Sequence, residues 1–188
     1  MAEKIMTARG NAQIDTAQSK FGGASGLFDG TGDFLDTPGD VADFSFGTGA
    51  FTLEAWVRFN NVTATTAGFM GNFKATDTPR AYFWYWDSTP QMHFVFCKNG
   101  ADTPESMDRA WSPSVNVWYH IAIVRTGDTL RMFVDGTQIG LDYSLTAGDS
   151  VNAIPAGKLF YVGEEGGGSD INGWLDELRI SKGIARWT

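Results

Sequence analysis

The chain has 188 residues, with 14 basic against 22 acidic side chains and a net charge of −8 at neutral pH. That balance opposes binding to phosphate backbones or anionic lipid, so nucleic acid is not an expected partner. A single cysteine, Cys97, excludes an internal disulfide, and no stretch reaches the ~20 apolar residues of a membrane helix, so membrane insertion is not expected.

The length suits one domain spanning 1–188, large enough to bury a core without cross-links. Residues 1–10 are expected to form an extended N-terminal arm. Seven Trp and fourteen Phe beside 23 Gly, with little helical period, predict an all-β chain. In chain order, "NAQID" (11–15) predicts a weak first strand. "SGLFDG" (25–30) and "DFLDTP" (33–38) flank a Gly-Thr-Gly turn. "FTLEAWVRF" (51–59) alternates most clearly: Phe51, Leu53, Ala55, Val57 and Phe59 share one face, and Thr52, Glu54, Trp56 and Arg58 the other. "GFMGNF" (68–73) follows, then "RAYFWYWD" (80–87) and "QMHFVFC" (91–97), which the Ser-Thr-Pro between them turns into a hairpin. "MDRAWS" (107–112) predicts a short strand. "VWYHIAIVRT" (117–126) and "TLRMFVDG" (129–136) join through Gly127-Asp128, and Asp135-Gly136 leads into "TQIGLDYS" (137–144). "KLFYVGEE" (158–165) precedes a Gly-rich loop, and "GWLDELRISKGIARWT" (173–188) closes the chain. Many short antiparallel strands separated by turns predict two stacked sheets.

Five stretches, "FGGASGLFDGTGDFLDTP" (21–38), "FGTGAFTLEAWVRF" (46–59), "WYHIAIVR" (118–125), "LRMFVDGTQIG" (130–140) and the closing segment, together resemble the concanavalin A-like superfamily of lectins and glucanases. Within it the likeness is to laminin G-like domains of the kind found in bacteriophage virion and bacterial surface proteins. The resemblance implies a jelly-roll β-sandwich with one concave and one convex antiparallel sheet. It also implies display on a virion or cell surface. The start, "MAEKIMTARGN", lacks the apolar segment of a secretory leader, which fits synthesis in the cytoplasm and release by another route such as lysis.

The glycosidases of that superfamily carry E-x-D-x-x-E or E-x-D-x-E on one strand, because nucleophile and acid must project together. This chain has no such array: Glu54 stands alone, and Glu164-Glu165 and Asp176-Glu177 each point to opposite faces if extended. His93 and His120 have no metal-ligand spacing. The chain is therefore not expected to be an enzyme.

The aromatic hairpin 81–96 carries rings on both parities. Trp84, Trp86, His93, Arg109 and Trp111 are the candidate ligand-binding residues, since sugar C–H faces pack on aromatic rings while polar neighbours fix orientation. The alternative for each ring is core filling. Read with a period of two, Trp174, Asp176, Leu178 and Ile180 share the core side of the last strand, so Asp176 needs a metal, an arginine (Arg179 or Arg186) or backbone N–H partners. The resemblance implies that the first and last strands lie side by side and that a structural calcium is held there. Asp29, Asp33 and Asp176 are the candidate ligands, with Asx-type turns around Gly30 and Gly32 as the alternative. Glu164, Glu165 and Asp170 form a second, loop-borne set whose alternative is a solvated loop. Two functions follow. One is a non-catalytic, lectin-like recognition or adhesion domain with a glycan partner. The other is a structural or decoration module of a capsid or tail, with only protein partners and oligomeric assembly.

Overall fold

The computed structural model describes residues 5–37, 41–63, 66–165 and 168–187. The first four residues of the expected arm, the end of the 33–38 stretch and the centre of the Gly-rich loop lie outside them. In chain order the strands are β1 (Thr7–Arg9), β2 (Gln13–Asp15), β3 (Ser25–Asp29), β4 (Phe34–Thr37), β5 (Phe51–Phe59), β6 (Thr66–Asn72) and β7 (Tyr82–Asp87), with a 3-10 turn at Ala42–Phe44. They continue as β8 (Gln91–Phe96), β9 (Glu105–Ala110), β10 (Trp118–Thr126), β11 (Thr129–Val134), β12 (Thr137–Ser144), β13 (Phe160–Val162) and β14 (Asn172–Lys182). No helix among the described residues is long and apolar enough to cross a membrane.

Two seven-stranded sheets result. The first runs β1-β4-β13-β6-β7-β8-β9, and the second β12-β11-β10-β5-β14-β3-β2. Every paired strand is antiparallel. This is the expected jelly-roll sandwich. Alternation decides what fills it. Phe51, Leu53, Ala55, Val57 and Phe59 of β5 are all fully buried and meet Tyr82, Trp84, Trp86, Met92, Phe94 and Phe96 from the other sheet. Thr7–Arg9, expected within an arm, pairs with β4 as an edge strand.

The two ends of the sandwich are closed differently. At one end β1 and β2 are successive strands joined by the turn at Gly10, so the chain itself bridges the sheets. At the other, β9 and β12 are latched by side chains: Arg109 donates from Nη2 to the Leu141 carbonyl, and the Tyr143 hydroxyl donates to Glu105 at 2.9 Å.

β14 answers the question raised by Asp176. Opposite β5 the register runs Trp174↔Arg58, Leu175↔Val57, Asp176↔Trp56, then resumes at Arg179↔Glu54. The shift is a β-bulge, with Glu177 in the left-handed region at φ 49°. Before the bulge Leu175 faces the core; after it Leu178 and Ile180 do. Asp176 therefore sits on the solvent face of the sheet with Trp174, not among the leucines. Its Oδ2 accepts the Lys20 and Phe21 backbone N–H groups at 2.8 and 3.1 Å, and its Oδ1 accepts the Glu177 N–H.

Candidate functional site

In a sandwich the faces turned away from the core should be polar. The outer face of the first sheet departs from this. Cross-strand register places Gly68, Tyr85, His93 and Asp108 in one row across β6 to β9, flanked by a row of Gly71, Phe83, Val95 and Ser106 and a row of Thr66, Asp87, Gln91 and Ala110. Phe83, Tyr85 and His93 form a ladder of near-parallel rings, with centroids 5.3 and 4.5 Å apart and planes within 19° and 13°. Beside them lies a depression of about 270 Å³ lined by Thr66, Phe73, Phe83, Tyr85, Val95, Glu165 and Ser169.

Gly68 makes this trough. The loop after β13 folds against it, and the Gly68 N–H donates to the Ser169 carbonyl at 2.8 Å. A Cβ at Gly68 would stand 2.6 Å from the Phe83 ring and 2.8 Å from that carbonyl, so only glycine lets ring and wall meet.

The polar groups beside the trough converge on His93. Its Nδ1 lies 2.7 Å from Asp108 Oδ1, and its Nε2 lies 3.2 Å from Asp87 Oδ2. Ser106 donates to the same Asp108 oxygen, and Thr89 donates to Asp87 from both N–H and hydroxyl. Burial pushes the Asp87 carboxyl up, but the Thr89 hydrogen bonds and His93 outweigh it and leave it below the usual carboxylate range. Burial raises the Tyr85 hydroxyl, and Asp108, Asp87 and Glu165 add to that rise.

Of the expected ligand-binding residues, His93 alone stands on this outer face, 8% exposed and stacked on Tyr85 beside the trough. Trp84 and Trp86 are 0% and 2% exposed and point into the core, so they cannot meet a ligand on the sheet surface. The physical reason is register: Trp84 opposes Phe94 and Trp86 opposes Met92, whereas Tyr85 opposes His93. Among the described residues the Trp84 indole N–H has no partner, while that of Trp86 donates to the Trp111 carbonyl at 2.9 Å. Trp111 packs at the core margin between Phe59 and Tyr119, and Arg109 is the latch to β12 described above. Tyr85, half-buried and missed as a binding residue, shares the parity of His93, as does Phe83, which backs the ring ladder at 1% exposure.

The carboxylates chosen for calcium do not form one site. Asp29 Oδ1 accepts the Thr31 N–H in an Asx turn, and Asp33 accepts the Asn11 and Asp29 N–H groups through its two oxygens. Asp29 pairs with Asn172, four residues before Asp176 and roughly 13 Å from it along the strand. With Asp176 also occupied by backbone N–H groups, the three do not fit a shared calcium. Among the described residues no cluster of three or more His, Cys, Asp or Glu is placed to hold a metal.

In the loop-borne set, Glu164 turns inward to Asp170 while Glu165 turns outward to the trough. Burial, followed by the neighbouring Asp170 carboxyl, pushes Glu164 up to about 7. A folded-state value above the unfolded one means the native protein keeps a proton that the unfolded chain releases. This contribution to stability is complete below the ordinary carboxyl value and is lost as pH rises through about 7. Glu164→Gln is therefore expected to raise the thermal midpoint more at about pH 8 than at about pH 5. Parallel melting curves across that range would refute the assignment.

The outer face of the second sheet carries another polar cluster, and it explains how the C-terminal segment is held. Glu54, 2% exposed, accepts from Arg179 Nε at 2.5 Å and from the Trp187 indole at 3.2 Å, with His120 Nε2 also 3.2 Å away. Thr52 Oγ1 donates to the Ile184 carbonyl and accepts the Arg186 N–H. Ala185 and Trp187 then cover Ala122, Val124 and Phe133, making a second small core outside the sheet. Burial pushes the Glu54 carboxyl up, but Arg179, Trp187 and His120 outweigh it and hold it below its ordinary value.

Two face-to-face antiparallel seven-stranded sheets define a lectin-like jelly-roll sandwich. A laminin G-like family model, described as the concanavalin A-like lectin/glucanases superfamily, matches residues 29–185, and the chain belongs to that superfamily. No curated protein matches it in sequence. Three solved structures share its fold. Domain 4 of AbnA, an extracellular arabinanase from Geobacillus stearothermophilus, in complex with arabinotriose, superposes with a TM-score of 0.66 at 17% identity over 97% of this chain and 83% of that one. The carbohydrate-binding module CBM66 from Bacillus subtilis gives 0.51 at 16% identity, over 94% and 95%. A botulinum neurotoxin type C structure, from a protein whose cell entry depends on two ganglioside molecules, gives 0.67 at 13% identity over 96% of this chain. The present chain spans 44% of that one. At these identities the likeness is one of fold.

Proposed function

We propose that the protein is a non-catalytic glycan-binding domain whose ligand occupies the Tyr85 trough. The observation that carries this is the ring ladder Phe83–Tyr85–His93 on the solvent side of a sheet, where alternation calls for polar residues, beside a depression with polar walls. Apolar surface ringed by a few fixed polar groups is what a saccharide requires. Fold neighbours that bind arabinotriose or act as a carbohydrate-binding module support the reading. The non-catalytic part rests on the carboxylates: Asp87 and Asp108 turn onto the two nitrogens of His93 rather than toward each other across the trough. Display on a virion or cell surface belongs to the same proposal, as the setting in which such a trough meets glycans.

The test is a glycan array probed with the wild type, Tyr85→Ala and Trp56→Ala. Wild type should bind a defined set of glycans, and Tyr85→Ala should weaken that binding by about tenfold or more. Trp56→Ala, on the outer face of the other sheet, should leave it within about twofold. Absence of any binding, or binding indifferent to Tyr85, would remove the proposal and favour a structural module with protein partners.

A further inference from the structure

Carboxylates line and flank the trough: Glu165 stands in its wall, and Asp108 and Asp87 stand beside it on the two nitrogens of His93. Burial raises the Tyr85 hydroxyl, and all three add to that rise. Both His93 nitrogens face carboxylates, so even a charged imidazole leaves an excess of negative charge. Among the described residues Asp108 Oδ2 receives no hydrogen bond, and the side chain is 44% exposed. The cations around it are held by other groups or lie in solvent. Arg80 lies over the Phe73 ring but is tied to Asp102 at 2.9 Å, Arg109 donates to the Asp108 and Leu141 carbonyls, and Lys74 is exposed.

An anionic ligand entering this space would meet like charge at a partly desolvated surface, and a neutral one would offer the carboxylates hydroxyl donors but no opposing charge. An ammonium group would pair with them and would also be attracted by the Tyr85 ring. We propose that the trough selects saccharides carrying a free, unacetylated amine over their neutral and acidic counterparts. This rests on the reading of the trough as a glycan site and adds the ligand's charge class.

The experiment is calorimetric titration with three short oligosaccharides of equal length: one of glucosamine, one of N-acetylglucosamine and one of galacturonate. It is run at low and high salt, at a pH that keeps the amine charged. The amine oligomer should bind about tenfold tighter than its acetylated form, with the uronate weakest, and the advantage should shrink at high salt. Glu165→Gln should cut that advantage about threefold or more. Asp128→Asn removes one charge far from the trough, on the β10–β11 turn, and should leave the advantage unchanged.

Equal or tighter binding of the acetylated form, lost in Tyr85→Ala, would overturn the charge selection and leave the glycan site standing. Amine binding that survives Tyr85→Ala, or that responds to Asp128→Asn as strongly as to Glu165→Gln, would overturn it as diffuse attraction to an acidic protein. Failure of all three sugars on this protein, with no glycan bound on the array, would take both proposals down together.

Discussion

Arg125→Ala is expected to destabilise the protein by about 4 kcal/mol, measured by chemical denaturation. The guanidinium is fully buried and donates to three backbone carbonyls: Gly127 at 2.9 Å, Gly47 at 2.8 Å and Asp149 at 2.6 Å. These belong to the β10–β11 turn and to two loops that are remote in sequence. Alanine leaves three acceptors without their charged donor and opens a cavity where they met. Burial already holds the arginine below its ordinary pKa, so the site tolerates the charge only because every face of it is engaged. Lysine at the same place is a point donor that cannot span the three carbonyls, and it should recover less than half of the loss. A cost below about 1.5 kcal/mol for the alanine variant would show that the loops do not depend on this side chain.

Glu54→Ala should cost about 3 kcal/mol by the same measurement. Two effects add. The indole of Trp187 and the ring of His120 lose their shared acceptor, and the segment 183–187 loses its grip on the small outer core. The figure is set at the lower end for a broken buried pair because Arg179 is 55% exposed and returns to water when its partner is gone. Glu54→Gln preserves shape and one acceptor and should lose about half as much. An alanine variant within about 0.5 kcal/mol of wild type would mean that the C-terminal segment is held by apolar contact alone.

Most strands were legible because each sheet has one dry and one wet face, and such a face writes a period of two into the chain. The stretches 51–59 and 137–144 coincide with β5 and β12. The binding face was half legible. Both parities of 82–86 are aromatic, so composition could not choose between them. Register could: a three-residue turn from Asp87 to Gln91 sets Tyr85 opposite His93 and the two tryptophans opposite Met92 and Phe94. The polar members of the second strand, Gln91 and His93, therefore mark the wet face, and Tyr85 and Phe83 go with them. Grouping His93 with Trp84 and Trp86 joined opposite sides of one sheet.

The calcium set failed for a different reason. Strand adjacency was right, since β3 and β14 do pair, but three carboxylates on neighbouring strands converge only if their register also matches. The Glu54 cluster was missed because its members, at 54, 120, 179 and 187, meet only after three strands and the chain end have assembled on one surface.

The bulge at Glu177 gives β14 two phases. Upstream of it the even-numbered residues face water; downstream the odd-numbered ones do. The extra residue thus acts as a frameshift in three dimensions, and "LDEL" is where the frame changes. Straightening the bulge with every residue kept would not subtract a single contact. It would run one alternation through the whole strand, turn Leu178 and Ile180 to solvent, and carry Arg179 into the core and away from Glu54. The outer clasp and the inner packing of this strand depend on the same bulge, so what is constrained here is the left-handed turn that Glu177 makes before the identity of its side chain.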